Sequence, residues 1–191
     1  MVSEFGDVAP HLSRREAMAA SLLLSGARTR ALAMLPGNET PLATHRSSEG
    51  RALSRARYRN AEGFFFGVEE RLFSDTSDLL YQTGIVAQLA LTSHLLDVGF
   101  DDRWCARYIG LHIDKALTYS NATGLHYHSP ALRRLAPVLS PYNVWRNPDL
   151  DGSRPLLPKS LPDIPPLLRE LLDHVRGVTG HPRPRRRQAR G

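Results

Sequence analysis

The chain has 191 residues, of which 41% are hydrophobic, and a formal net charge of +6. A chain of this size and composition can bury one hydrophobic core, which excludes a wholly disordered protein and predicts one domain with attached tails. The single cysteine, Cys105, excludes an intramolecular disulfide. No run of about 18 apolar residues occurs, so no transmembrane segment is predicted.

The charge is distributed unevenly along the chain. Residues 1–60 carry a net charge of +4, residues 61–130 carry −5 and residues 131–191 carry +7. An acidic centre between basic flanks is unlike a folded nucleic-acid-binding domain, whose basic residues lie on the structured part. Arginine supplies nearly all of the positive charge, as is typical of GC-rich genomes, and this composition predicts a bacterial source.

Residues 12–33 read LSRREAMAASLLLSGARTRALA. In this stretch Ser13, Arg14 and Arg15 precede a moderately apolar segment, which ends in the A-x-A sequence of residues 31–33. The arrangement resembles a twin-arginine export leader. The resemblance implies cleavage after residue 33 and a periplasmic location.

The same stretch also fits the beginning of an ordinary helix. Ser13 and Glu16 have the spacing of a capping box, in which each side chain satisfies a main-chain amide of the first turn. Under this interpretation residues 1–33 form an N-terminal helix of a cytoplasmic protein. Both interpretations stay open.

The next segments predict a linker and then a folded domain. Residues 34–60 combine proline, glycine, serine and arginine, which is typical of a basic linker, and its last part, 50–60, can start a basic helix. Three consecutive phenylalanines at 64–66 follow and are expected to be buried. The helical domain is therefore predicted to cover 61–178.

A helical hairpin is predicted at the start of this domain. Ser74 or Asp75 caps a helix that ends at about Val98, before a glycine, and Asp101 caps a second helix that ends at about Tyr119. The four residues between the helices, GFDD, make the pair antiparallel. One face of the second helix is expected to carry Cys105, Tyr108, Ile109, His112, Ala116 and Tyr119.

The rest of the domain combines an irregular crossing with a closing helix. Residues 120–159 are rich in proline and turn-forming residues, and Tyr142 and Trp145 are expected to hold this segment against the helices. After Asp163, a leucine stripe predicts an amphipathic helix that stops at Gly177. The predicted fold is a small all-α helical bundle with Pro-rich irregular segments, followed by a disordered Arg-rich tail, 179–191.

The histidines suggest a metal site. His126 and His128 form an H-x-H pair and His112 precedes them, so the three are candidate ligands for zinc or iron in a metal-dependent enzyme. No other cofactor and no catalytic residue is predicted. A nucleophile made of Cys105 and His112 is excluded, because seven helical residues separate them by about 10 Å; Cys105 is expected to be a small buried hydrophobe.

A DNA-binding function is a second alternative. The hairpin over residues 79–119 contains the stretch LLDVGFDDRWCARYI, in which Gly99, Phe100 and Asp102 resemble the turn of the helix-turn-helix in arabinose-type transcription regulators. The resemblance covers about fifteen residues and implies a transcription regulator that binds DNA through the hairpin. The acidic charge of this region disfavours phosphate contacts.

The first functional hypothesis is a non-catalytic binding or accessory protein with a protein partner, exported or cytoplasmic. Its tail could additionally bind nucleic acid or an anionic surface by charge alone. The tail residues concerned are Arg183, Arg185, Arg186, Arg187 and Arg190.

A reporter fusion separates the two interpretations of the N-terminal stretch. If residues 12–33 are an export leader, fusing them to a reporter that is active only outside the cytoplasm gives activity, and changing Arg14 and Arg15 to Lys abolishes it. If they form a helix, the fusion stays inactive with either sequence.

Overall fold

The computed structural model describes residues 45–73, 75–146 and 160–184, which belong to one compact unit, Thr44–Gly191. The regular structure of these residues is entirely helical, which confirms the predicted all-α class. The helices are α1 (Ser48–Glu69), α2 (Thr76–Val98), α3 (Asp102–Trp104) with its continuation as a π-helix (Cys105–Ile109), α4 (Ile113–Ala122), α5 (Pro130–Leu135), a 3₁₀ helix (Tyr142–Trp145) and α6 (Ile164–Thr179). None of these helices is long and apolar enough to cross a membrane.

Helix α2 lies at the centre of the bundle. It packs against α1, α4, α6 and the 3₁₀ helix, and 13 of its 23 residues are buried. Its ends are those predicted from the sequence. The Asp75 side chain accepts a hydrogen bond from the amide of Ser77 at 3.1 Å, and Gly99 ends the helix in the left-handed conformation, with φ 109°.

Helix α1 begins within the stretch predicted as a linker. Ser47 caps it by accepting a hydrogen bond from the amide of Gly50 at 2.9 Å, so the folded body starts before residue 61. Of the three phenylalanines, only Phe65 is buried, whereas Phe64 is 44% and Phe66 49% exposed. The expectation that all three are buried is wrong because successive helical residues point about 100° apart.

The second helix of the predicted hairpin is interrupted. Asp101 caps α3 as predicted, accepting a hydrogen bond from the amide of Trp104 at 2.6 Å. The π-helix that follows ends at Gly110, whose φ of 56° and ψ of −123° suit only glycine, and whose carbonyl accepts a hydrogen bond from the Gln88 side chain. A new helix, α4, starts three residues later, so Cys105 and His112 do not share a helix.

This interruption changes the predicted buried face. Cys105, Ile109, Ala116 and Tyr119 are buried as expected, whereas Tyr108 is exposed and His112 is only half-buried.

The segment after α4, which was predicted to be irregular, contains the helix α5, and the 3₁₀ helix anchors it as expected. Tyr142 and Trp145 are both buried. The Tyr142 hydroxyl donates to the side-chain oxygen of Gln88 at 2.6 Å, and the Trp145 indole donates to the carbonyl of Val138 at 2.9 Å. Tyr142 lies directly on Gly84 of α2.

Helix α6 confirms the predicted amphipathic stripe but extends further. Gly177 lies inside the helix, which ends at Gly180 in the left-handed conformation. Residues from 179 onward were predicted to be a disordered tail, yet Thr179 and His181 are buried. The buried residues of α6 are Ile164, Leu167, Leu168, Leu171, Leu172, Val175 and Thr179.

The close contact between Gly84 and Tyr142 predicts the effect of a side chain at position 84. A Cβ atom there would lie 2.3 Å from the Cβ of Tyr142, so Gly84→Ala is expected to lower the free energy of unfolding by about 2 kcal/mol. Gly177→Ala is the matched control, because a Cβ at Gly177 meets nothing within 4 Å.

Gly177→Ala should raise the free energy of unfolding by about 0.5–1 kcal/mol, through helix propensity alone. Urea denaturation followed by circular dichroism measures both values. Stabilisation of similar size by both substitutions would contradict the proposed packing.

Candidate functional site

A cluster of buried polar side chains joins α1, α2 and the segment after α6. His181 Nε2 lies 2.6 Å from Ser54 Oγ, and Ser54 is fully buried while His181 is 2% exposed. Ser54 Oγ also lies 2.6 Å from the carbonyl oxygen of Ser93. The Ser93 hydroxyl in turn donates to the carbonyl of Ser54 at 2.9 Å. A serine hydrogen-bonded to a histidine is an arrangement that nucleophilic enzymes use.

The direction of the hydrogen bonds argues against that chemistry. The Ser93 carbonyl can only accept, so the Ser54 hydroxyl donates to it, and His181 Nε2 then donates to Ser54 Oγ. A serine nucleophile needs the reverse, since the histidine must accept its proton. Both side chains are also shielded from solvent. The hydrogen bond between Ser54 and His181 therefore holds the segment after α6 against α1.

Asp97 provides the charge at the same end of the bundle. This residue is buried near the end of α2, and its carboxylate accepts a hydrogen bond from Arg51 Nη1 at 2.8 Å, with Arg46 at 3.9 Å. Arg51 also donates to the carbonyl of Thr179 at 3.3 Å. One buried carboxylate thus ties together the start of α1, the end of α2 and the end of α6.

Two histidines at this end are neutral at physiological pH. Burial lowers the pKa of His94 to about 4, and burial also lowers the pKa of His181. His94 is 1% exposed, and its Nε2 lies 3.3 Å from Thr123 Oγ1. Protonating either ring would place a positive charge in the protein interior.

A second polar cluster fixes α6 to α1. The carboxylate of Glu62 accepts hydrogen bonds from the Tyr58 hydroxyl at 2.6 Å and from both terminal nitrogens of Arg169, at 3.1 and 2.9 Å. The Arg169 guanidinium also lies over the ring of Phe65, 4.3 Å from its centre. Burial is the main reason why the pKa of Tyr58 is raised, so its hydroxyl stays protonated and donates a hydrogen bond to Glu62.

Arg183 belongs to the same cluster. It was predicted to bind polyanions as part of the tail, but it pairs with Asp173 and approaches Glu62 at 3.7 Å. The other tail arginines, Arg185, Arg186, Arg187 and Arg190, lie outside the described residues. The export-motif residues Ser13, Arg14 and Arg15 do so as well.

The structure confirms that Cys105 is a small buried hydrophobe. Burial raises the pKa of its thiol to about 12, so the thiolate that a nucleophile requires does not form at neutral pH.

The candidate metal ligands are placed as follows. His126 and His128 are exposed, with ring centres 6.3 Å apart, and His112 lies at the start of α4 with its Nδ1 4.0 Å from a carboxylate oxygen of Asp114. Within residues 45–73, 75–146 and 160–184, no group of three or more His, Cys, Asp or Glu side chains is positioned to hold a metal ion. The three histidines are therefore not brought together as a ligand set.

The stretch that resembles a helix-turn-helix has an aromatic core. Trp104 is buried between Phe100, at 4.5 Å between ring centres, and Tyr119, at 5.0 Å. The helical turns that would correspond to a recognition helix are α3 and the π-helix, which together span residues 102–109. DNA binding through this hairpin stays a prediction.

An open apolar cleft lies at the opposite end of the bundle from Asp97. Its volume is about 240 Å³, and it is formed by the end of α1, the start of α2 and the start of α6. Arg71 and Asp163 line it with charged groups 3.9 Å apart, and both side chains are mostly exposed. Its apolar lining consists of Val68, Phe73, Leu79, Leu161, Pro162, Ile164 and Pro165.

Two further features distinguish the cleft. Arg71 has a φ of 53°, an uncommon conformation for a residue other than glycine, and such conformations concentrate at functional sites. The neighbouring Leu72 is 67% exposed. The cleft was not predicted from the sequence, because its lining comes from three separate segments and the prolines at 162 and 165 indicated only a turn and a helix start.

Comparison with known protein families, with characterised proteins and with solved structures finds no match for the chain.

The buried His94 predicts a pH-dependent stability. Its pKa in the folded protein lies below the unfolded value of 6.5, so its contribution is fully present above pH 6.5 and is lost as the pH falls toward the folded value. Lowering the pH from about 7 to about 5.5 should therefore cost about 1 kcal/mol of unfolding free energy through His94.

Urea denaturation at the two pH values measures this loss. The loss of unfolding free energy should be about 1 kcal/mol smaller in the His94→Gln variant. In His128→Gln, which changes an exposed histidine, the loss should equal that of the unmodified chain. An equal loss in all three proteins would show that His94 does not stay neutral through burial.

Proposed function

We propose that this chain is a non-catalytic binding protein whose helical body takes up apolar side chains of a partner protein in the cleft between Val68, Leu79 and Ile164. The observation that carries the proposal is the cleft itself. It is lined mainly by apolar side chains and is open to solvent, and it has an exposed leucine, Leu72, beside it. Exposed apolar surface of this kind is typical of protein interaction sites.

The dimensions of the cleft suit a protein side chain. An apolar cavity of about 150 Å³ holds a benzene molecule, so a volume of about 240 Å³ admits one large aromatic side chain or a branched aliphatic one. The fixed backbone angles of Pro162 and Pro165 keep the wall formed by the start of α6 in place before binding. A preformed site of this kind loses little conformational entropy when it is filled.

The charged pair beside the cleft gives a means of selecting a partner. Arg71 and Asp163 are 3.9 Å apart and largely exposed, so their mutual attraction contributes little to stability. Either group can therefore turn to an opposite charge on an incoming chain. We infer a partner segment with one or two apolar side chains that is flanked by polar or charged residues.

The state of the reactive side chains supports binding rather than catalysis. The Ser54 hydroxyl donates to a carbonyl, the thiol of Cys105 is buried and protonated, and His94 is buried and neutral. None of these groups lines the cleft. A substrate bound there would meet Arg71 and Asp163 as its ionisable neighbours among the described residues that line the cleft.

Site-specific photo-crosslinking tests the proposal. A benzophenone amino acid at position 72, in the full chain expressed in its source cells, is expected to give one discrete crosslinked protein. Leu79→Trp in the same chain fills the cleft and should reduce the yield at least about fivefold. Circular dichroism of the purified Leu79→Trp protein checks that the fold is retained.

The matched control places the same crosslinker at Val178, which is 46% exposed on α6. Val178 lies about 21 Å along the helix from Ile164, so it should not give the same product. A product that forms equally from both positions, or that is unaffected by Leu79→Trp, would overturn the proposal, as would the absence of any product.

A further inference from the structure

The outward-facing side of α1 carries an ordered row of residues. Arg55, Arg59, Gly63, Phe66 and Glu70 follow one another at spacings of four, four, three and four, which places them along one side of a helix. The opposite side of α1 is the buried one. Its buried residues are Ser54, Tyr58, Ala61, Phe65 and Val68.

This row, which we call the α1 row, stays largely exposed in the single chain. Arg55 and Arg59 are exposed and form no ion pair with any described residue. Phe66 is 49% exposed. A Cβ atom at Gly63 would meet nothing within 4 Å, although glycine costs an exposed helix about 1 kcal/mol relative to alanine. Packing against residues 45–73, 75–146 and 160–184 therefore gives no reason for a glycine at position 63.

The α1 row is complementary to itself in the antiparallel direction. If two copies of α1 cross about a two-fold axis between positions 62 and 63, Arg55 of each lies opposite Glu70 of the other. The same symmetry places Arg59 opposite Phe66, where a guanidinium can lie over an aromatic ring. Gly63 then lies next to the axis, and its lack of a side chain lets the two backbones approach closely.

We propose that the protein forms a two-fold symmetric dimer through the α1 row, with a second copy of this chain as the partner. A two-fold interface requires a self-complementary surface, and the separation of positive charge at the start of the row from negative charge at its end satisfies that requirement.

The expected dimer is a weak one. Helix α1 has 22 residues and is therefore about 33 Å long, so a single pair of such helices lies at the lower end of interface sizes. We expect a dissociation constant of roughly 10–100 µM.

Sedimentation equilibrium of the full chain tests the proposal. Over about 5–500 µM, the mean mass should rise from the monomer value of 21.3 kDa toward twice that mass. Arg55→Glu and Glu70→Arg each place like charges opposite one another at both contacts and should raise the dissociation constant at least about tenfold. Arg133→Glu makes the same charge change at an exposed position on α5 and should leave association unchanged.

Mixing the two variants gives the decisive result. In a pair made of one Arg55→Glu chain and one Glu70→Arg chain, both contacts are again between opposite charges. An equimolar mixture should therefore dimerise with a dissociation constant at least about tenfold lower than that of either variant alone. Gly63→Lys, which brings bulk and charge to the axis without a clash in the single chain, should also give a monomer. A monomeric unmodified chain at every concentration, or a mixture that stays monomeric, would overturn the proposal.

Discussion

The constraint on which the rest of the structure depends is the burial of polar residues at the end of α2. Thr92, Ser93, His94 and Asp97 are all buried there. A buried polar group without a partner costs about 1–3 kcal/mol, and an unpaired buried charge costs more. Other elements must therefore bring partners to this point. Helix α1 brings Ser54 and Arg51, and the segment after α6 brings His181.

Those hydrogen bonds give the bundle two chemically different ends. The start of α1 and the end of α6 meet the end of α2 at the polar end, which makes α1 antiparallel and α6 parallel to α2. The other three termini then meet at the far end, where Val68, Leu79 and Ile164 leave an apolar cleft. At the polar end, Ser54, Ser93 and Asp97 use their side-chain oxygens for hydrogen bonds within the protein.

Helix ends that depend on neighbouring residues were predicted from the sequence, whereas features that depend on contacts between distant residues were not. Asp75, Gly99 and Asp101 act locally, and each lies at the predicted helix end. A basic helix was predicted to start within 50–60, but its place in the folded body was not predicted, because its buried positions include Ser54, a polar residue whose partner lies 39 residues away. The break at Gly110 was missed because its carbonyl is held by Gln88, 22 residues earlier. The cleft was not predicted for the same reason, because its lining residues come from three separate segments of the chain.

Arg183, which was predicted to belong to a polyanion-binding tail, pairs with carboxylates of the helical body. Its guanidinium is held between Asp173 and Glu62, and Glu62 is already paired with Arg169. A polyanion that binds Arg183 must therefore compete with two carboxylates of the folded body, whose negative charge also repels it.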